Sequence, residues 1–257
     1  MRVGFIGAGR MGRPMVTRLI AAGHDVWAVG RTADKRSDLE QLGARAVHDA
    51  AGAGARADVV VLSVFSDEQV REVCLDGGLL SAMQPGAALV VHTTASPKTI
   101  DAAVSGGPHD IAAGRLTLFV GGTDEAVRRV RPLLSCYGDP VLHVGPTGTG
   151  QKVKLVNNAL FAGHIGLLAE SIGLGERLGV PESTLLAALA HGSAGSRVLS
   201  LVAASGSVAS FMEIAGEFVD KDVSLVRGIS EELGADLGAL DGVIKAPESE
   251  TAPARRV

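Results

Sequence analysis

Cysteine is scarce in this sequence of 257 residues, which contains only Cys74 and Cys136. Their spacing matches neither a metal-binding motif nor a disulfide framework, and such sparse use of cysteine is typical of a reducing compartment. Positive charge is not in excess either, since 24 Lys and Arg residues stand against 28 Asp and Glu residues. The net charge of −4 therefore argues against nucleic acid or an acidic membrane surface as a partner.

Long apolar runs are also missing from the sequence. No stretch approaches the roughly 20 apolar residues that a bilayer requires, and no charged segment followed by an apolar one precedes the first predicted strand. We therefore expect a cytoplasmic protein with no membrane partner. With 46% apolar and 20% charged residues the chain is expected to be globular, and its 34 glycines, which follow no three-residue period, indicate tight turns.

Apolar segments of strand length alternate with helical patterns over the first part of the chain. This alternation predicts parallel strands joined by helical crossovers, with both faces of the sheet covered. Residues 1–147 are therefore predicted to form an α/β domain with a doubly wound, mostly parallel sheet. The predicted strands are 2–6, 25–29, 58–64, 87–92, 116–120 and 141–144, and the predicted helices between them are 11–22, 33–42, 67–74 and 124–135.

Strand patterns stop after the glycine-rich segment 145–150. Residues 151–178 read as one helix that ends before Gly179 and Pro181. At 1.5 Å per residue this helix would be roughly 40 Å long, which suits a connection between two domains. Further helical patterns cover 182–191, 196–203 and 222–233. We predict an all-α domain over residues 148–244, followed by a flexible tail over residues 245–257 that is biased towards Pro, Glu and Ser.

The strongest local motif is Gly7-Ala8-Gly9-Arg10-Met11-Gly12, placed directly between the first strand and the first helix. In such a turn Gly7 permits the tight bend, Gly9 lets a pyrophosphate approach the backbone, and Gly12 lets the helix pack on the strand. The helix N-terminus favours the bound anion. Because strand, turn, helix and second strand are all present, the motif predicts a dinucleotide-binding site.

The end of the second strand indicates which dinucleotide is preferred. An NAD enzyme usually has an acidic residue there for the ribose 2′-hydroxyl, whereas this chain has Gly30-Arg31-Thr32, followed by Lys35. Arg31 and Lys35 suit a 2′-phosphate, and Thr32 can donate a hydrogen bond. NADP is therefore the preferred cofactor, with NAD as the alternative if Arg31 and Lys35 are only solvated charges and Asp34 binds the hydroxyl.

Three motifs, in this order along the chain, resemble the β-hydroxyacid dehydrogenase family. They are GAGRMGRPM at 7–15, DAAVSGG at 101–107 and GTGQKVKLVNN at 148–158. This family includes 3-hydroxyisobutyrate dehydrogenase and is related to 6-phosphogluconate dehydrogenase. The resemblance covers residues 2 to about 242. It implies a Rossmann domain, a long interdomain helix, an all-α C-terminal domain, and a homodimer or homotetramer assembled through the helical part.

The resemblance also implies roles for particular residues. Lys154 matches the catalytic lysine, and Asn158 matches its substrate-binding neighbour. The loop Ser105-Gly106-Gly107 matches the segment that binds the substrate carboxylate. The positions that match cofactor-binding residues are Gly7, Gly9, Arg10, Met11 and Gly12 in the phosphate turn, Arg31 and Thr32 at the ribose, Thr94 near the nicotinamide, and Lys221, a late lysine that reaches back to the cofactor.

The residue types support the catalytic assignment independently of the family. Lys154 and Asn158 are four positions apart, so on a helix both side chains project from one face. The positive end of the helix dipole and an apolar environment would both lower the pKa of Lys154 towards neutral pH. The seven histidines form no ligand cluster, so no metal site is predicted. His92 and His109 flank the proposed site and are interpreted as structural.

The chain departs from the family between Ile100 and Asp101, where the family has a further helix and the start of a strand. Only eight residues, 93–100, separate two strands expected to be parallel, whereas a crossover needs about a dozen or more. Two alternatives follow: the end of the sheet is altered, or the molecule contains further residues at this point.

Together these features predict an NADP-preferring oxidoreductase that interconverts a small β-hydroxyacid, or a short hydroxy acid of similar size, and its carbonyl partner. Lys154 would act as the general acid and base. An imine or aldehyde reductase on the same fold is one alternative, although imine-reducing members usually lack the lysine. A cofactor-binding regulatory protein without turnover is another. The sequence does not identify the particular acid, the physiological direction, or a dimer as against a tetramer.

Overall fold

A computed structural model describes residues 1–93 and 101–244 of the chain. It divides the chain into two compact units, the first being Met1–Lys154 and the second beginning at Leu155. The predicted boundary between residues 147 and 148 falls a few residues before this division. The predicted position Thr94 and the tail 245–257 lie outside the described residues.

The first unit begins with a five-stranded parallel sheet in the order β3-β2-β1-β4-β5. The strands are β1 (Arg2–Ile6), β2 (Asp25–Val29), β3 (Arg45–Val47), β4 (Val59–Leu62) and β5 (Ala88–Val91). The connecting segments contain α1 (Gly12–Ala21), α2 (Ala33–Gln41), α3 (Ala50–Gly54), α4 (Asp67–Arg71), a π-helical turn (Glu72–Asp76) and α5 (Leu79–Ala82). The doubly wound parallel architecture predicted from the sequence is confirmed.

Both faces of this sheet are buried, which explains the continuous apolar runs of its strands. In β4, Val59 and Val61 belong to one apolar cluster, and Val60 and Leu62 belong to another on the opposite face. Because successive side chains of a strand point to opposite faces, both sets must be apolar. Strand β3 and helices α3 and α5 were not predicted, because each is at most five residues long.

The chain from Asp101 onward forms a separate three-stranded sheet in the order β6-β7-β8. Its elements are β6 (Asp101–Ser105), α6 (Pro108–Ala112), β7 (Leu116–Gly121), α7 (Asp124–Leu134) and β8 (Gly138–Gly145). The expectation that β5 and β6 belong to one parallel sheet is wrong, because among the described strands β6 is paired with β7, and this pairing is antiparallel. Within this second sheet, β7 and β8 are parallel.

The second unit is helical, as predicted, and has its own apolar core. The long helix α8 (Thr149–Arg177) enters it from the first unit, and the helices that follow are α9 (Glu182–Leu189), α10 (Arg197–Ser205), α11 (Val208–Leu233) and α12 (Ala239–Val243). Buried side chains from α8 and α11, among them Ile165 and Val223, share one cluster. The prediction that α11 begins near residue 222 is wrong: Ser207 caps it through the backbone N–H of Ser210.

None of the helices in the described residues is, taken singly, long and apolar enough to cross a membrane. The pair α10 and α11 meets the length and composition criteria only jointly, and the two helices are bent by 114° at the break between them.

Candidate active site

The turn from Gly7 to Gly12 is shaped by two positions at which no side chain fits. Gly7 has φ +96°, and a Cβ there would lie 2.0 Å from the carbonyl oxygen of Ser63. A Cβ at Gly12 would lie 2.1 Å from the carbonyl oxygen of Gly7 and 2.8 Å from the Phe5 ring. These contacts are the packing roles expected of the first and third glycines in a dinucleotide-binding turn.

Gly9 differs from its two neighbours because a Cβ built on it meets nothing within 4 Å. Glycine is therefore not required at this position by the protein's own packing. The space over Gly9 suits a group that approaches the backbone closely, as a pyrophosphate does in the glycine-rich turn. Ala8, Arg10 and Met11 complete the turn, and Arg10 is exposed.

The strand order places this turn at the switch point of the sheet. The chain leaves β1 towards β2 on one side, while β4 pairs with the other side of β1. In open α/β sheets, ligands bind in the crevice at the carboxyl ends of the strands at such a point. Helix α1 begins there with neither a side-chain cap nor an acidic residue in its first turn, so its positive end can attract an anion.

The residues after β2 form a short cationic segment. Arg31 and Lys35 are exposed, and in the described part of the chain neither side chain is in an ion pair or a hydrogen bond. Thr32 caps α2, because its Oγ1 accepts the backbone N–H of Lys35 at 3.2 Å. Since a hydroxyl can accept and donate at once, this cap leaves the Thr32 proton available to a ligand.

Arg36 has a different role from the other cations of this segment. Its guanidinium donates to the carbonyl oxygen of Gly30 at 2.9 Å. A Cβ at Gly30 would lie 2.7 Å from Arg36 Cγ and 2.9 Å from its backbone nitrogen. Arg36 therefore shapes the end of β2.

The loop Ser105-Gly106-Gly107 connects β6 to α6. The backbone N–H of Gly107 donates to the carboxylate of Asp110 at 2.9 Å, so it is already engaged within the protein. Gly106 has φ +133°, a conformation that L side chains rarely adopt. Ser105 is half-buried at the end of β6. Of the donors expected to bind a carboxylate here, the Ser105 hydroxyl and the Gly106 backbone remain.

Helix α8 carries both of the central predicted residues. Lys154 is half-buried and lies in the second turn of the helix. Asn158 is only 4% exposed. Its Oδ1 accepts from the side chain of Asn157 at 3.3 Å, whereas its buried Nδ2 has no hydrogen-bond partner among the described residues. A buried amide donor without a partner is costly, and a bound ligand would satisfy it.

Two buried polar residues, Asp101 at the start of β6 and Gln151 in the first turn of α8, were not singled out from the sequence. The carboxylate of Asp101 accepts the backbone N–H of Gly148 at 3.1 Å and that of Gln151 at 2.5 Å. The Gln151 side chain donates to the carbonyl oxygen of Thr93 at 2.8 Å. The one available signal was their position inside the motifs DAAVSGG and GTGQKVKLVNN, at polar residues to which no role had been given.

Asp101 changes the expected electrostatics of Lys154. Its carboxyl group is 2% exposed, and burial raises the pKa of Asp101 while the N–H donors of Gln151 and Gly148 oppose that rise. When ionised, this carboxylate offsets the positive end of the α8 dipole. The expectation for Lys154 took the helix dipole into account but not this carboxylate.

His92 follows β5 and is structural. Its Nδ1 lies 2.7 Å from the carbonyl oxygen of Ala102 and its Nε2 lies 2.8 Å from the Tyr137 hydroxyl. Because a carbonyl only accepts, Nδ1 carries the proton and Nε2 accepts from Tyr137. Burial lowers the pKa of His92 to about 4, so the ring is neutral near pH 7. His109 is exposed on α6.

Thr94 and Lys221 are the two remaining positions that the sequence predicts at the cofactor. Thr94 lies outside the described residues, although its neighbour Thr93 is buried and bonded to Val64. Lys221 is half-buried in α11. Among the residues the structure describes, no group of three or more His, Cys, Asp or Glu side chains is arranged to hold a metal ion.

Comparison with protein families covers almost the whole chain. Residues 2–145 match the family described as the NAD binding domain of 6-phosphogluconate dehydrogenase. Residues 148–246 match the family described as the NAD-binding of NADP-dependent 3-hydroxyisobutyrate dehydrogenase. The chain belongs to the β-hydroxyacid dehydrogenase family. It is thus an oxidoreductase that uses a nicotinamide cofactor.

Individual relatives agree with this membership. The chain is 32% identical over 241 residues to the probable 3-hydroxyisobutyrate dehydrogenase-like 2 of Arabidopsis thaliana, covering 87% of this chain and 80% of that protein. The solved structure of Mycobacterium tuberculosis 3-hydroxyisobutyrate dehydrogenase with L-serine is 26% identical, with a TM-score of 0.82, and the match covers 94% of this chain and 90% of that one.

A reductase of another kind shares the fold. The imine reductase of Streptomyces aurantiacus matches with a TM-score of 0.66 over 94% of this chain and 91% of its own. Its sequence is 17% identical, so this likeness concerns the fold alone.

Proposed function

We propose that this β-hydroxyacid dehydrogenase is an NADP-preferring enzyme that interconverts a small β-hydroxyacid, or a short hydroxy acid of similar size, and its carbonyl partner. The observation that carries the proposal is the buried Asn158 Nδ2, which has no hydrogen-bond partner among the described residues and lies one helical turn after Lys154 on α8. A polar donor buried at this cost and placed beside an amine suits a small oxygen-bearing substrate. The relative crystallised with L-serine is named as a dehydrogenase of a hydroxyacid of this size.

In this proposal the candidate residues have separate roles in proton transfer, substrate binding and cofactor binding. The nicotinamide, when bound, exchanges a hydride with the substrate carbon. Lys154 Nζ removes the hydroxyl proton during oxidation and returns it during reduction. The Asn158 amide orients the substrate, and the Ser105 hydroxyl with the Gly106 backbone binds its carboxylate. The phosphate turn, with open space over Gly9, fits the cofactor's pyrophosphate.

Substitution of Lys154 tests the proton transfer. A positioned acid or base contributes about 10² to 10⁴ in rate, so Lys154→Ala should lose that much kcat while NADPH binding changes little. Lys154→Arg should be almost as impaired, because a guanidinium does not give up a proton near neutral pH. Retention of most of the wild-type rate by Lys154→Arg across the pH profile would show that Lys154 is only an electrostatic anchor.

Asn158 should behave differently from Lys154. Asn158→Ala should raise KM more than it lowers kcat, because the amide orients the substrate and transfers no proton. Gln41→Ala on α2 is the control, since it removes an exposed amide side chain far from α8 in the sequence. An unchanged KM in Asn158→Ala would contradict the assignment.

The cofactor preference is supported by Arg31 and Lys35 after β2, whose side chains have no partner among the described residues. Arg31 and Lys35 can both reach a 2′-phosphate, and position 31 carries no acid. Arg31→Ala should reduce the preference for NADPH over NADH by about 1 to 3 kcal/mol, the value of a charge-assisted hydrogen bond. Exposed Arg128 on α7 provides the control Arg128→Ala. Equal affinity of the wild type for the two cofactors would overturn the preference.

A substrate panel separates this function from the alternatives. Short hydroxy acids, semialdehydes and cyclic imines would be assayed with both cofactors by the absorbance of the reduced nicotinamide. Turnover of the acids and semialdehydes alone supports the proposal. Turnover confined to imines would favour an imine reductase, whose likeness to this chain concerns the fold alone, and tight cofactor binding without any turnover would favour a regulatory protein.

We further propose that the enzyme is a homodimer assembled through α8. Four exposed apolar side chains lie within an arc of about 40° on this helix, at about 100° per residue: Val156, Leu160, Leu167 and Leu174, each at least half exposed. An apolar stripe of this kind marks an interaction surface. Leu167→Glu with Leu174→Glu should halve the mass measured by light scattering, whereas Leu201→Glu on α10 should not.

A further inference from the structure

The start of α8 is held to the carboxyl ends of two strands by a chain of hydrogen bonds. After β4, Val64 donates its backbone N–H to Thr93 Oγ1 at 3.1 Å, and Thr93 Oγ1 donates back to the Val64 carbonyl oxygen at 2.8 Å. Thr93 follows β5, and its own carbonyl oxygen accepts from Gln151 Nε2 at 2.8 Å. This chain thus joins the strand ends at the cofactor crevice to the first turn of α8.

The three residues of this chain are buried or half-buried. Gln151 is fully buried and Thr93 is 4% exposed. A buried hydrogen bond between fixed partners constrains geometry, because breaking it leaves a polar atom without solvent. A carbonyl that accepts from a side chain on another element also fixes the distance between the two elements.

Lys154 lies three positions after Gln151 on the same helix. Asp101 also holds this turn, through the N–H groups of Gly148 and Gln151. Gly150 makes this anchorage close, since a Cβ there would lie 2.7 Å from Asp101 Oδ2. The helix turn that precedes Lys154 is therefore fixed to the segment after β5 by a side chain and to the start of β6 by its backbone.

We infer that Gln151 is a positioning residue for Lys154. Its hydrogen bond to the Thr93 carbonyl oxygen fixes the start of α8 and thereby holds the Lys154 amine at the nicotinamide end of the crevice. The inference rests on the proposed acid and base role of Lys154. Gln151 transfers no proton and acts only through Lys154. Because catalytic efficiency is sensitive to misplacement of about 1 Å, loss of the bond should reduce turnover more than it reduces cofactor binding.

A double-mutant cycle tests this inference with the full-length enzyme. Gln151→Met keeps the length of the side chain and removes its donor, and Lys152→Met in the same turn is the exposed control. Gln151→Met should lower kcat by about tenfold or more, with the NADPH dissociation constant within about threefold of the wild type. In the Lys154→Ala background the same substitution should change kcat by less than about twofold, because residues that act as a unit are not additive.

The outcomes separate the inference from the proposed function. If Lys154→Ala lowers kcat and Gln151→Met lowers it by the same factor in both backgrounds, the positioning role is wrong and the role of Lys154 stands. If Lys154→Ala leaves kcat unchanged, both are wrong. A merely structural Gln151 would lower the melting temperature without this dependence on Lys154.

Hydrogen exchange of the cofactor-free protein provides a readout independent of activity. The peptide 148–154 should exchange faster in Gln151→Met than in the wild type and in Lys152→Met, because the anchored turn frays when its bond to Thr93 is lost. Unchanged exchange would overturn the anchorage. Should Gln151→Met fail to fold, Thr93→Val interrupts the same chain at Val64 and should give the same increase in exchange and the same cycle with Lys154→Ala.

Discussion

Two regions of the first unit, the phosphate turn and the junction between its two sheets, are built from residues at very different separations along the chain. The phosphate turn consists of consecutive residues, Gly7 to Gly12: Gly12 packs against Gly7 and Phe5, while Gly7 also packs against Ser63 after β4. The junction between the two sheets is joined by His92, which bonds to Ala102 and Tyr137, and by Asp101, which bonds to Gln151. A local pattern therefore defines one region, and long-range polar contacts define the other.

The second sheet stays packed on the first although, among the described residues, no strand of one sheet is paired with a strand of the other. Ala102, Leu116 and Leu118 of the second sheet share one apolar cluster with Val3 and Val59 of the first. Burial of a common apolar face does not require continuous strand pairing. The two sheets thus share one core although they are separate in their strand pairing.

The largest effect is expected from a methyl group at Gly7. Gly7→Ala should lower the free energy of unfolding by at least about 3 kcal/mol, because it adds a strained φ to a clash with the Ser63 carbonyl. The matched variant Gly9→Ala adds the same methyl where nothing lies within 4 Å. It should leave the unfolding free energy within about 0.5 kcal/mol and weaken NADPH binding.

Urea denaturation and cofactor titration of both variants check this pair. Equal destabilisation by the two methyl groups would show that the turn is not defined by the local packing of Gly7. Unchanged NADPH affinity in Gly9→Ala would show that the cofactor does not approach the backbone there.

The parts of the molecule that the sequence predicts correctly are those with a local cause. The alternation of strands and helices, the phosphate turn and the long helix α8 all depend on periodicity or on glycine at fixed spacing. Short elements such as β3 and α3 escaped prediction because they are held by tertiary packing. Two hydrogen bonds became visible only in the structure. One is the cap that Thr32 provides to α2, and the other is the bond from the Gly107 N–H to Asp110.

The polar junction could not be predicted for a related reason. Asp101 and Gln151 are fifty positions apart, and nothing in either local sequence identifies the other as its partner. The antiparallel pairing of β6 and β7 joins Asp101 to Gly121, a separation that likewise leaves no local sequence pattern. Such features follow from the closure of long loops, which a pattern of neighbouring residues does not encode.

The second prediction concerns the pH dependence of the junction. Burial lowers the pKa of His92 to about 4 in the folded protein, whereas an unfolded histidine titrates near pH 6.5. Between these values the unfolded chain binds more protons, so the free energy of unfolding falls as the pH falls from about 6.5 to about 4. The His92 contribution is about 3 kcal/mol over this window, at about 1.4 kcal/mol per pH unit.

Comparison of variants isolates this contribution. His92→Phe should be less stable than the wild type at pH 7, because Tyr137 and Ala102 lose a partner, and its stability should depend less steeply on pH between 4.5 and 6.5. The exposed His48→Gln should keep the wild-type slope. A His92→Phe slope equal to that of the wild type would mean that the imidazole titrates normally and that the junction is open to water.

The smallest effect is expected at Thr32, where a local cap and a proposed cofactor contact share one hydroxyl. Thr32→Ala removes the acceptor of the Lys35 N–H and should lower the unfolding free energy by about 1 kcal/mol. Thr32→Ser keeps the hydroxyl and should restore both stability and the NADPH preference. Thr32→Asp keeps an N-cap but introduces a negative charge, so it should retain stability and weaken binding of the 2′-phosphate. If Thr32→Asp binds NADPH as the wild type does, the ribose end of the cofactor lies elsewhere and the end of β2 is only a capped turn.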